Sequence, residues 1–289
     1  LTDQKHKTQS WTVQEKVTAF FVQADINAEI GSIPVTGNVG VRYVKTEQSS
    51  QGSAANTVDG LVVVTPTDVS HDYSHVLPSI NLSFAIDEEQ TLRFGAAKTI
   101  SRALLNDMNA SINASYGQQP DDNGNFWSIS GGNPKLEPKE ATGFDISYEN
   151  YFNAEGYFSA AVFYKDINQW IFDGTYAVDM SGVANPATGE IPATSSGTGN
   201  GKVNGGGGDL WGYELSLALP FNVFHSSLDG FGLIASHTGI EQDVEDQNGN
   251  EYELVGLSDQ IDSLTVYYER NGFQARTSMR KRSDFKGNV

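Results

Sequence analysis

An all-β fold, an antiparallel transmembrane β-barrel segment of roughly ten strands, is what this sequence predicts. Three observations carry the prediction. Side chains alternate apolar and polar with period two, short and long links alternate between these stretches, and aromatic residues collect near the stretch ends. Composition agrees, because 30 Gly, 12 Tyr and 15 Phe in 289 residues suit strands and turns better than helices. The longest apolar runs, such as Leu61 to Val64, fall far short of the roughly 20 residues that a membrane-spanning helix needs.

Taken in order, a first short link at about 29–35 precedes Val39, Val41 and Tyr43, which alternate with Asn38, Gly40 and Arg42. A long link at about 46–73 follows, with Leu61 to Pro66 as a short strand inside it. Then Val76, Pro78, Ile80, Leu82, Phe84 and Ile86 alternate with His75, Ser79, Asn81, Ser83 and Ala85, up to a short link at 87–89. After the long link at 101–138, Phe144, Ile146 and Tyr148 alternate with Gly143, Asp145, Ser147 and Glu149, and a short link falls at 153–156. Beyond the long link at 172–208, Trp211, Tyr213, Leu215, Leu217 and Leu219 alternate with Gly212, Glu214, Ser216 and Ala218. The last links are short at 221–228, long at 238–259 and short at 270–272. Each such strand has one apolar and one wet face.

A soluble sandwich alternates as well, so the links decide between the two. Soluble domains rarely hold structureless loops of this length, whereas membrane barrels have short periplasmic turns and long extracellular loops. Strands of roughly 9 to 15 residues between the links cross a bilayer at a tilt. Trp11, Tyr43, Tyr151, Phe152, Tyr157, Trp170, Trp211 and Tyr267 stand near strand ends, where an interfacial girdle places them. On the wet face Arg42, Arg93, Arg276 and Arg280 are expected to pair with Glu149, Asp145 or Glu214, or to touch a plug inside the barrel.

Eighteen basic residues against 36 acidic ones give a net charge of −18, which repels nucleic-acid phosphates, and no nucleic-acid partner is expected. Cysteine is absent, so there is no disulfide, thiolate ligand or Cys nucleophile. Gly197 to Val203 fails as a phosphate loop, because Ser196 stands where its first Gly belongs and Val203 where Mg²⁺ needs a hydroxyl. The acidic stretch with Glu241, Asp243, Glu245, Asp246, Glu251, Glu253 and Asp259 lacks EF-hand spacing, and reads as solvated loop. His6, His71, His75, His225 and His237 show no paired metal spacing, and no nucleophile elbow is present. The adjacent Asp121 and Asp122 do not supply a glycosidase geometry. Neither catalysis nor a metal or cofactor is called for.

The stretch Gly131-Gly-Asn-Pro-Lys-Leu-Glu-Pro-Lys-Glu140, followed by an alternating strand and Tyr151-Phe152, resembles the GNPxLxPE signature of TonB-dependent outer-membrane receptors. The matching residues are Gly132, Asn133, Pro134, Leu136 and Pro138, and the stretch ends PKE where the signature has PE. Leu77 to Leu82, Leu92 to Arg102 and Phe163 to Asn168 resemble the same family in order and spacing. Glu15 to Ala19, Gly37 to Tyr43 and Tyr267 to Phe273 resemble its Caulobacter- and Xanthomonas-type branch. The resemblance covers almost the whole chain. Physics agrees with the motif, because Pro134 and Pro138 cannot donate ladder hydrogen bonds and alternation starts only after them.

The resemblance implies that residues 1–289 are part of a receptor barrel of about 22 strands. An N-terminal plug and further C-terminal strands would lie outside them. It implies a Gram-negative outer membrane as location, and outer-membrane lipid and, through the plug, the TonB complex as partners. The implied function is uptake of a large scarce solute, with an oligosaccharide as first ligand class and a ferric siderophore as second. Tyr116, Phe126, Trp127, Phe172 and Tyr176 are the expected ligand-binding aromatics in the loops. A passive porin and a soluble glycan-binding β-sandwich are the alternatives, the second requiring another apolar face buried in a core.

Overall fold

A computed structural model describes residues 9–58, 61–153, 155–185 and 188–287. They form one sheet of thirteen strands. In chain order these are β1 (Thr12–Ile30), β2 (Ile33–Val58), β3 (Leu61–Ala85), β4 (Gln90–Ser101), β5 (Ile112–Tyr116), β6 (Trp127–Gly131) and β7 (Lys139–Asn150). Then come β8 (Tyr157–Asp179), β9 (Ser196–Gly205), β10 (Gly207–Pro220), β11 (Phe231–Glu245), β12 (Gln260–Arg270) and β13 (Phe273–Arg282). With β5, β6 and β9 set aside, the rest make an antiparallel wall of long strands, each paired with the next in the chain. Among the described residues β1 and β13 are not paired with each other. At the loop end β5 pairs with β2, β6 with β5 and β9, and β9 with β8, which closes a ring of strands there.

The links that follow β1, β3, β7, β10 and β12 lie at the opposite end. Two of them have only two residues, Gly31-Ser32 between Ile30 and Ile33 and Asn271-Gly272 between Arg270 and Phe273, the latter with φ of 53° and 79°. Positive φ at both positions is what a type I′ turn needs to follow the twist of its strands. The long links differ from the expectation. β2 and β3 stay paired from Val35↔Phe84 to Val58↔Leu61, so 46–73 is an extended hairpin, and Leu61 to Pro66 is the beginning of β3, not a separate strand. β8 runs on to Asp179 and β11 to Glu245. Continued pairing satisfies backbone groups that an irregular loop would have to leave to water.

Residues opposite each other in register share a face. The row Val39, Ile80, Ala96, Phe144, Tyr164, Trp211 runs across six strands and faces outward. This outward face is apolar and uncovered, with Val162 54% exposed in its middle. Above Tyr43, Tyr164 and Trp211 it turns charged, at Lys45, Asp166 and Asp209, so aromatics border the apolar band. Tyr151 and Tyr157, 5.0 Å apart, do not join this border: they sit with Glu149 on the inner face, Tyr151 donating to its carboxylate at 3.2 Å and Tyr157 sharing the face of Ser159. Tyr267 lies on the inner face beside Arg276, and its neighbour Tyr268 holds the outward position against Phe231. Trp170 packs into a cluster at the loop end instead of joining a girdle.

The other face is polar along the wall, with Arg93 paired to Glu149 at 3.1 Å. Arg42, Arg276 and Arg280 have no salt bridge among the described residues. Their strands are not neighbours of β10, which carries Glu214, and Asp145 stands opposite Gly95. The buried apolar clusters all sit at the loop end, around Phe172 and Val244, around Leu136 and Met108, and around Trp127 and Ile129. No second sheet covers the outward apolar face among the described residues, which is the opposite of what a soluble sandwich requires.

Candidate functional site

Between β4 and β7 the chain leaves the wall, and residues 102–138 fold back over it at the loop end. The two prolines explain why the motif does not join the ladder: Pro134 and Pro138 have no N–H to give, and the ladder resumes only at Lys139. Its backbone carbonyls must then find donors elsewhere, and side chains from the wall and from β9 supply them. Gln48 on β2 gives its amide hydrogens to the Pro134 and Leu136 carbonyls, at 2.8 and 2.9 Å. Tyr176 donates to the Gly132 carbonyl at 2.8 Å and Gln169 to the Pro138 carbonyl at 2.9 Å. Asn204 reads both sides of one residue, accepting from the Glu137 N–H at 2.7 Å and donating to its carbonyl at 2.8 Å. In the opposite direction, the motif's Asn133 donates to the Lys202 carbonyl of β9 at 3.1 Å.

Leu136 is 0% exposed and packs on Met108 and Ile171. Gly132 leaves no room for a Cβ, which would stand 2.6 Å from the Asn109 carbonyl oxygen. Pro138 is fully buried. The motif residues therefore hold this segment in place through packing and carbonyl capping. Polar contacts lie along the same seat: His71 to Glu137 at 3.0 Å, the Lys98–Glu140 ion pair at 2.7 Å, and His75 to Glu140 at 3.6 Å. Burial and the nearby Lys202 lower the pKa of Lys139, whose ammonium lies 3.9 Å from the centre of the Trp170 ring.

The five aromatics expected to bind ligand are placed as follows. Trp127 and Phe172 are each 1% exposed, Trp127 against Ile129 and Met180, Phe172 edge-on to Tyr252 at 4.7 Å. Tyr176 is half-buried under its bond to Gly132, and burial raises its pKa. Tyr116 and Phe126 are partly exposed and stacked on each other, 5.5 Å apart and 14° from parallel. Trp127 abuts Tyr116 edge-on at 5.0 Å, so these three rings are brought together, Phe172 sits in a separate cluster, and of the five Tyr116, Phe126 and Tyr176 keep accessible surface. Sequence reasoning did not find Gln48, Gln169 or Asn204. Gln48 continues the inner-face parity of β2 with buried Val44 and Thr46, which is the single signal available.

Beside the stack, Asp121 accepts from the Thr198 hydroxyl and from the Asn123 and Asn125 N–H groups at 2.9 and 2.8 Å. These bonds, the Thr198 one first, hold its carboxyl below the usual carboxylate range. A pKa lowered only in the folded state contributes stability above the unfolded value near about 3.9. That stability goes as the pH falls through the lowered folded value. Protection of the Asn123 and Asn125 amides, the exchange rate taken relative to its intrinsic value at each pH, is therefore expected to hold down to about pH 4 and to fall only below it. Asp246 in the acidic stretch is held likewise by the Asn250 and Asn248 N–H groups. No three of the acidic or histidine side chains group as a metal site among the described residues.

The profile of the family described as "TonB dependent receptor-like, beta-barrel" matches residues 2–288. No curated protein matches the chain. Solved structures do. A variant of the ferric enterobactin receptor PfeA from Pseudomonas aeruginosa aligns with a TM-score of 0.52 at 16% identity, over 93% of this chain and 41% of that one. The ferric-catecholate import receptor Fiu from K12 E. coli gives 0.52 at 14%, over 94% and 36%. The ferric citrate transporter FecA in its unliganded form gives 0.50 at 11%, over 94% and 42%. At such identities the likeness is one of fold, and the chain spans less than half the length of each of these proteins.

Proposed function

Because the chain belongs to the TonB-dependent receptor β-barrel family, we propose that it is part of an outer-membrane receptor that imports a large, scarce solute at the expense of energy delivered by TonB. The uncovered apolar band bordered by aromatics is the observation that supports a place in the bilayer, with outer-membrane lipid against Val162, Ile146 and their neighbours. TonB itself would act through a plug domain elsewhere in the protein, as the family resemblance implies.

For the ligand, an oligosaccharide is the first reading. The accessible Tyr116–Phe126 stack offers flat apolar faces to sugar rings, and a chain of net charge −18 disfavours an anionic ferric chelate. A ferric siderophore is the second reading, favoured by the names of the PfeA and Fiu receptors that share the fold. A passive porin is the remaining alternative.

Uptake by the full-length receptor in an outer membrane, with and without TonB, separates these readings. Saturable TonB-dependent uptake of malto- or chitooligosaccharides is the expected result, and the same behaviour with a ferric siderophore alone would replace the first ligand with the second. Non-saturable, TonB-independent flux would mean a porin. In the same assay Phe126→Ala is expected to weaken uptake of the stacking ligand roughly 10-fold, about the loss of one ring contact of 1–1.5 kcal/mol.

A further inference from the structure

We propose that residues 110–138 form a strap across the mouth, hinged on β8–β9 and latched to β2, and that the mouth opens by release of the latch alone. The opening part rests on the reading as a receptor; the hinge and latch do not.

The two attachments differ in kind. On the hinge side β6 runs parallel to β9 from Trp127↔Gly197 to Ser130↔Asn200, and β9 is laddered to β8 from Trp170↔Gly205 to Asp179↔Ser196. Buried Trp127 and Ile129 pack there with Met180, and Tyr176, Gln169 and Asn204 hold the motif. On the latch side the ladder is only Ala54↔Ile112 and Ala55↔Asn113. Single side chains add to it: Thr67 donates to the Ala110 carbonyl at 2.6 Å, Gln48 holds the Pro134 and Leu136 carbonyls, and His71 meets Glu137. A short ladder backed by separate side-chain bonds opens before a long ladder backed by a buried apolar cluster, because local opening follows the fewest buried contacts.

Gly52 sits at the latch for a steric reason. A Cβ there would lie 2.5 Å from the Ser111 nitrogen and 2.7 Å from the Ala110 carbonyl carbon, so β2 and the strap touch backbone to backbone. Gly52→Ala is thus a wedge aimed at the latch and remote from the hinge.

Hydrogen exchange on the full-length receptor, read by mass spectrometry, tests the asymmetry without any transport. Amides in 110–116 are expected to exchange at least 10-fold faster than those in 127–131, and Gly52→Ala is expected to widen the gap while 127–131 and 196–205 keep their rates. Equal rates in the parent, or loosening of both sides together in Gly52→Ala, would overturn the proposal. Disulfide locks test the opening. Ala54→Cys with Ile112→Cys is expected to stop uptake until a reductant is added, and Ser130→Cys with Asn200→Cys, a facing pair of the β6–β9 ladder, to leave uptake unchanged. Uptake that survives the oxidised latch lock overturns opening at β2. A parent receptor with no uptake at all would count against the proposed function, and the exchange rates would still decide the strap.

Discussion

Ile146→Arg is expected to destabilise the barrel in a bilayer by about 2–4 kcal/mol, the cost of a cation near the middle of the lipid-facing surface of a β-barrel. Ile146 faces outward between Phe94 on β4 and Val162 on β8, with apolar neighbours along its register row, so no carboxylate stands beside it. Ser159→Arg, on the opposite face of the same wall beside Glu149, is expected to cost less than half as much. Urea unfolding of the full-length receptor in lipid vesicles measures both. Equal costs for the two would mean that the two faces of the wall see the same solvent, and the assignment of the outward face to lipid would fall. A soluble sandwich would give the same order only if the outward face were a packed core, which its exposure rules out.

Leu136→Ala should loosen the motif by about 2–5 kcal/mol, the usual cost of emptying a buried leucine site. The side chain has no exposed surface and fills the space between Met108 and Ile171, so its removal leaves a cavity under the segment that Gln48 and Asn204 grip. The loss is local, because the wall strands do not depend on Leu136 for their pairing. Exchange of the Asn133 and Glu137 amides is expected to accelerate by at least 10-fold, with amides of β10 to β13 unchanged. A global drop in stability without this local effect would show that the strap and the wall unfold as one unit.

Strand directions, faces and turn positions were legible in the sequence because each is set locally. Period two in Val76 to Ile86 assigns the faces of β3, and Asn271-Gly272 demands positive φ and so fixes a turn. Where alternation faded into polar and glycine-rich stretches, the reading stopped too soon. Thr46, Gln48 and Ser50 look like loop residues, yet the ladder continues through them, because their hairpin partners Tyr73, His71 and Val69 lie far along the chain on β3. The run Gly197-Thr-Gly-Asn-Gly-Lys-Val203 carries no pattern of its own and becomes β9 only because β6 and β8 flank it.

The motif shows the same division. Its prolines determine from sequence alone that Pro134 and Pro138 stand outside the ladder, since a missing N–H is a property of the residue itself. Which side chains then take the freed carbonyls is decided in three dimensions, by Gln48 from 88 residues away in the chain and by Asn204 from 67. The aromatics divide likewise: composition and position gave Tyr116, Phe126, Trp127, Phe172 and Tyr176 equal standing, and only the packed structure buries Trp127 and Phe172 while leaving Tyr116 and Phe126 accessible. By itself, then, the sequence determined an alternating antiparallel wall with turns at one end, because dihedral preference and side-chain period act between near neighbours. Tertiary structure decided the ring at the mouth and the seat of the motif, because parallel pairings such as Ala54 with Ile112 and the capping of distant carbonyls join segments whose meeting no local pattern encodes.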